Sequence, residues 1–102
     1  MLAIEDIGLK NTLQLLEPGT APKEAIINLI LEKARRNYFK YQMIDKHLRR
    51  KYKMSFDEFS KSKLLEEPSF EIEQDFFDWD MAITGISDMK TEIEKLLQSK
   101  PW

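Results

Sequence analysis

The chain has 102 residues, enough for one domain and too few for two independent cores. Hydrophobic residues make up 42%, which suits a globular protein, and charged residues 33%, above the usual quarter. The absence of cysteine excludes a disulfide framework and thiolate chemistry.

No apolar run reaches the ~18–20 residues that span a bilayer, and the N-terminus shows neither a basic n-region nor a long apolar h-region, so a cytoplasmic protein with no membrane partner is expected. Three glycines and four prolines, with abundant Leu, Ile, Lys and Glu, favour helices over strands. The net charge of −2 hides a pattern. Two cations and five anions give −3 over residues 1–32, and nine cations and one anion give +8 over 33–53. Five cations and twelve anions give −7 over 54–102.

The N-terminal segment, residues 1–19, carries Ile4, Ile7, Leu9, Leu13, Leu15 and Leu16. Leu9, Leu13 and Leu16 fit helical spacing, whereas Leu13-Gln14-Leu15 also fits a strand; a short helix over Ala3 to Leu16, ended by Pro18-Gly19, is expected. The second segment, residues 20–53, opens with Thr20 or Ala21 as cap and Pro22 in the first turn, where its missing N–H costs nothing. No Gly or Pro follows until after Tyr52. Ile27, Leu31, Ala34, Tyr38, Tyr41, Leu48 and Tyr52 alternate by four and three, with Asp45 the one polar interruption. That is a coiled-coil-like seam on a helix roughly 45 Å long at ~1.5 Å per residue.

Residues 54–69 form the corner. Ser55 and Glu58 stand as a capping box, and Met54 and Phe59 as a hydrophobic staple, so a short helix should run from Phe56 to about Lys63, with Pro68 marking its end. The last helix, residues 70–98, starts after Ser69 as cap. Ile72, Phe76, Trp79, Ile83, Ile86, Ile93 and Leu97 form its seam, with Lys90 off pattern and Met89 beside it. Gly85 inside this helix costs about 1 kcal/mol relative to Ala; a close helix neighbour or a local bend would account for it.

Two long helices joined by a capped corner should pair as an antiparallel hairpin. The expected fold is therefore all-α and a single domain. A hairpin alone leaves apolar surface open, to be covered by the N-terminal segment or by a second copy, and a helical-bundle dimer is expected.

Catalysis finds no machinery here. His47, the only histidine, sits between Lys46 and Leu48 with no nucleophile–base arrangement around it, and Gly8, Gly19 and Gly85 are too scattered for a phosphate loop. Neither an enzyme nor a cofactor is expected. Asp75 and Asp78 share a helical face where a weak Mg²⁺ or Ca²⁺ contact is conceivable. Acids gathered near a helix N-terminus by its dipole are the simpler account, and no metal site is expected.

Two blocks can carry binding. The basic stretch, with Arg35, Arg36, Lys40, Arg49, Arg50 and Lys51 as candidate nucleic-acid contacts, is interleaved with Tyr38, Phe39, Tyr41 and Tyr52. The hairpin would set this stretch beside the acids of the last helix, and a charge zipper between them is the structural alternative. The second block, residues 70–80, packs four aromatics and five acids into eleven positions. A seam can bury only some of them. Phe70, Glu71, Glu73, Asp75, Phe77, Asp78, Trp79 and Asp80 are the candidate partner-binding residues, their alternative being cover by a dimer or by the N-terminal helix.

Lys51-Tyr52-Lys53-Met54-Ser55-Phe56-Asp57-Glu58-Phe59, then Glu67 through Asp75 and Phe77-Asp78-Trp79-Asp80, resemble small helical antitoxin-like proteins of prokaryotic type II toxin–antitoxin pairs. In that pattern a long charged helix leads into a K-Y-G-M-S-F-E-E-F-like corner and an acidic W/F-E-V/I-E-x-D helix. The likeness spans roughly residues 25–97. Lys53 stands where the turn glycine is expected, which predicts a helix end less sharply left-handed, and Phe70 stands where Trp is more usual. The resemblance implies stoichiometric neutralisation of a small basic toxin. Carboxylates would stand where RNA phosphates bind, and Phe70, Phe77 and Trp79 would act as anchors.

Overall fold

The structure is a computed structural model and describes residues 7–63, 66 and 68–99. These form four helices and, among the described residues, no strand: α1 Ile7–Leu16, α2 Pro22–Tyr52, α3 Phe56–Ser62 and α4 Phe70–Gln98. The strand alternative for the N-terminal segment thus falls for Ile7–Leu16, while residues 3–6 of the expected helix lie outside the described residues.

In α1 the Leu13 side chain is buried, Leu9 is half-buried and Leu16 is exposed, and the helix packs on α2. After it Gly19 takes φ +79°, a left-handed value that L side chains rarely adopt. Pro22 opens α2 and Ala21 is its N-cap, with no side-chain hydrogen bond to the free amides. Thr20 is therefore not the cap.

Contacts between α2 and α4 run in reverse order along the two helices. Lys51 meets Glu71 and Asp75, Asp45 meets Trp79, and the Tyr41 ring lies against Gly85. The two helices are therefore antiparallel. Gly85 is there for closeness rather than bending: a Cβ on it would stand 2.5–2.8 Å from atoms of the Tyr41 ring. Of the α2 seam, Ile27, Leu31, Ala34 and Leu48 are buried, while Tyr38, Tyr41 and Tyr52 are half-buried.

The α4 seam departs from the expected one. Ala82 is fully buried and Leu96 half-buried, whereas Leu97 is 44% exposed. An α-helix drifts by about 20° per heptad against a strict 3.5 repeat, so an apolar series begun at Ile72 has rotated off the contact line by Leu97.

The corner is tightly specified. Lys53 sits at φ 55°, ψ 39°, fully left-handed, so the softer helix end predicted for a lysine there is not found. The packing around Met54 and Phe56 holds the reversal in place without glycine. Ser55 caps α3, its Oγ accepting from the Glu58 amide at 3.2 Å, and its hydroxyl donates to the Glu58 carboxylate at 3.2 Å. The second arm of the box is thus hydroxyl to carboxylate rather than amide to carboxylate. Ser69 caps α4 by accepting from the Ile72 amide at 3.2 Å.

Beneath the corner lies the main core: Leu48, Phe59 and Trp79, with Tyr52, Phe56, Ile72 and Phe76 against them. The Trp79 ring has Phe59 at 5.2 Å, Phe56 at 5.5 Å and Tyr52 at 6.3 Å between centroids. The molecule is elongated, 57 × 25 × 21 Å.

Candidate protein-binding faces of α2 and α4

The acidic–aromatic block of α4 divides between inside and outside, because α4 puts a quarter-turn or more between neighbouring residues. Trp79 points inward and is fully buried. Its indole Nε1–H donates to Asp45 Oδ1 at 2.9 Å, so the polar break in the α2 seam is the acceptor for the core tryptophan. As an anchor for a partner Trp79 is unavailable in this fold.

Asp75 also turns inward. It accepts from Lys51 Nζ at 2.6 Å and from the Tyr52 hydroxyl at 2.5 Å, while Lys51 reaches Glu71 at 2.6 Å as well. Burial pushes the Asp75 carboxyl up, but the hydrogen bonds from Lys51 and Tyr52, with the nearby charges of Lys51 and His47, hold it below its ordinary value. The hydrogen bonds to Asp75 and then Glu71 raise the Lys51 ammonium. Burial, and then the bond to Asp75, pushes the Tyr52 phenol up to about 12.

What remains outside is Phe70, Glu73, Phe77, Asp78 and Asp80. Phe70 is 82% and Phe77 63% exposed. At i, i+7 and i+11 they line up with Met81, 47% exposed, which sequence reasoning missed; its helical offset from Phe77 was the available signal. Glu73 and Asp80 are exposed beside this stripe, and Asp78 is half-buried, accepting from Gln74 at 3.2 Å. The block is thus an apolar stripe rimmed by carboxylates, with Glu71 and Asp75 withdrawn into the bond to α2.

The charge zipper contracts to that one junction: among the described residues, Lys51 with Glu71 and Asp75 is the only ion pair between α2 and α4. Arg36 pairs with Glu32 at 3.9 Å and Arg49 with Asp45 at 3.3 Å, both within α2. Arg35, Lys40 and Arg50 are exposed and make no ion pair among the described residues. Seam positions face α4 whereas most of the cations of α2 lie off the seam, and this keeps the two charge blocks apart.

Phe39 (64% exposed) and Met43 (46%) stand among these cations. An open hollow of about 430 Å³ lies between them, Lys46, Arg49 and Ile86. His47 is exposed. Among the described residues no three His, Cys, Asp or Glu side chains come together as metal ligands would, and no helix is long and apolar enough to cross a membrane. Compared with family models, with curated proteins and with solved structures, the chain matches none.

Proposed function

We propose that this chain is a non-catalytic, antitoxin-like protein-binding module that neutralises a small basic partner through the outer face of α4. The observation that supports the reading is Phe70, Phe77 and Met81 held in water in one line beside Glu73, Asp78 and Asp80. Aromatic and Met side chains in a row gain most from desolvation at an interface, and rim carboxylates steer a cationic surface onto them. On an RNA-directed toxin the same carboxylates would occupy the sites of substrate phosphates, which is the role the corner and acidic-helix motifs imply by resemblance.

A second reading is nucleic-acid binding along α2. It is favoured by Arg35, Lys40 and Arg50, which are exposed and make no ion pair among the described residues, with Arg36 and Arg49 as flanking contacts; Lys51 drops out of it because two carboxylates hold it.

The test is co-expression with the flanking reading frames, affinity purification and mass determination of what is retained. The expected result is a stable complex with a small basic neighbour, lost in Phe70→Ala/Phe77→Ala, both exposed positions outside the core. Trp79 has to be left intact, since it is fully buried in the core beneath the corner. Retention of no neighbour, or retention indifferent to that double substitution, would overturn the reading. A salt-steep affinity for nucleic acid, lost in Arg35→Glu/Lys40→Glu, would favour the second.

A further inference from the structure

The exposed edges of α2 and α4 carry the same apolar pattern with opposite charge. Phe39 and Met43 on α2 are four residues apart, as are Phe77 and Met81 on α4, and the members of the two pairs are exposed to nearly the same extent. Four residues before each Phe stands a charge, Arg35 on α2 and Glu73 on α4. One residue after it stands another, Lys40 or Asp78. Eleven residues on are Arg50 and Asp88.

With each Phe at a d position and each Met at the following a position, Arg35 and Glu73 fall at g and Lys40 and Asp78 at e, the positions that choose partners in paired helices. Were α2 of one copy to pack on α4 of another, a parallel alignment opposes Arg35 to Asp78 and Lys40 to Glu73. An antiparallel alignment opposes Arg35 to Glu73 and Lys40 to Asp78. Every one of these pairs is cation to anion. Two α2 edges, or two α4 edges, oppose like charges in either direction, which selects against a symmetrical pairing.

We infer that the chain self-associates by docking the α4 edge of one copy, Phe77 and Met81 with Glu73 and Asp78, on the α2 edge of another, Phe39 and Met43 with Arg35 and Lys40. The two edges lie on different helices, so a copy that engages one leaves the other open. The contact is heterologous and is not limited to two copies. The edges run about 20 Å at ~1.5 Å per residue. So short a contact belongs with small, transient interfaces rather than with standard ones of roughly 1,200–2,000 Å², so the association should be weak and concentration-dependent. It uses the α4 edge assigned above to a basic partner, so the two modes exclude one another, but it is read on the isolated chain and does not depend on that partner.

The experiment is sedimentation velocity on the full chain over a wide concentration range, at low and high salt, with Arg35→Glu/Lys40→Glu and Glu73→Lys/Asp78→Lys. Wild type should rise above its 12.1 kDa monomer mass with concentration and fall back toward it at high salt. Each variant alone should stay monomeric with an unchanged far-UV spectrum, and an equimolar mixture should associate again, which also shows that both are folded. A wild type that stays monomeric up to millimolar concentration would overturn the inference. So would association that survives either double reversal, or a mixture that stays monomeric.

Discussion

The indole N–H of Trp79 donates to Asp45 across 2.9 Å, and this bond accounts for a carboxylate in the middle of an otherwise apolar helix seam. Trp79 is sealed from water by Phe56, Phe59 and Tyr52, so its one polar hydrogen has to find its acceptor within the protein. Asp45 keeps its charge tolerable through Arg49, one turn on at 3.3 Å. Asp45→Ala should cost about 1–3 kcal/mol by leaving the indole unsatisfied, whereas Asp45→Asn, which keeps an acceptor, should cost less than about 1. Urea denaturation of both variants checks this; equal losses would mean that the hydrogen bond contributes nothing specific.

Gly85 tests how closely α2 and α4 approach. On propensity alone Gly85→Ala should stabilise α4 by about 1 kcal/mol. The new methyl would meet Tyr41 ring atoms at 2.5–2.8 Å, including Cγ near the root of the side chain, so the net effect should be a loss of about 1–3 kcal/mol. In a Tyr41→Ala background the same substitution should become stabilising. A double-mutant cycle reads the change of sign, and additivity of the two changes would sink the explanation.

Lys53 carries backbone strain at the end of α2. A non-glycine residue at φ 55°, ψ 39° is disfavoured by roughly 1–2 kcal/mol, and no ion pair holds the Lys53 side chain among the described residues. Lys53→Gly should raise stability by about 1 kcal/mol, the relief outweighing the added freedom of the unfolded chain. A lowered thermal midpoint would show that the lysine side chain does something the geometry does not reveal.

The Lys51–Asp75–Tyr52 junction sets a pH window. The Asp75 pKa is lowered on folding, so its contribution is complete above the ordinary value of about 3.8 and is lost as pH falls through the folded one. Tyr52 is raised from 10.0 to about 12, so its contribution is complete below pH 10 and is lost as pH rises toward 12. Stability should therefore be flat between about pH 5 and 9 and fall on both sides. Asp75→Asn should flatten the acid limb, and Tyr52→Phe should shrink the alkaline one to the share of the raised Lys51 ammonium. Urea midpoints measured across the range would expose a wrong assignment if either limb kept its wild-type slope.

Helices α2, α3 and α4 were legible because their signals are local. Pro22 at a first turn, Ser55 with Glu58, and Ser69 ahead of Phe70 act within four residues of themselves, and the structure starts a helix at each. The seam was legible where it stays near the contact line and failed at Leu97, where helical drift accumulates. Periodicity set Trp79 on the α4 seam and Phe77 off it, yet both also stood as partner anchors, and burial makes Trp79 core alone. Which of them lies inside depended on where α3 and α2 close over α4.

The three helices from Pro22 on, their starts and the segregation of charge can be read along the chain, since these follow from backbone geometry and near-neighbour chemistry. Which charges meet depends instead on how the helices pack. Of the nine cations over residues 33–53, Lys51 alone forms an ion pair with α4 among the described residues. Asp45 became a hydrogen-bond acceptor rather than a flaw in the seam. The physical reason is that the Coulomb and hydrogen-bond terms that matter here act over a few ångströms, and helix rotation and approach fix those distances. The close contact at Gly85 helps set that approach, together with the aromatic packing under the corner.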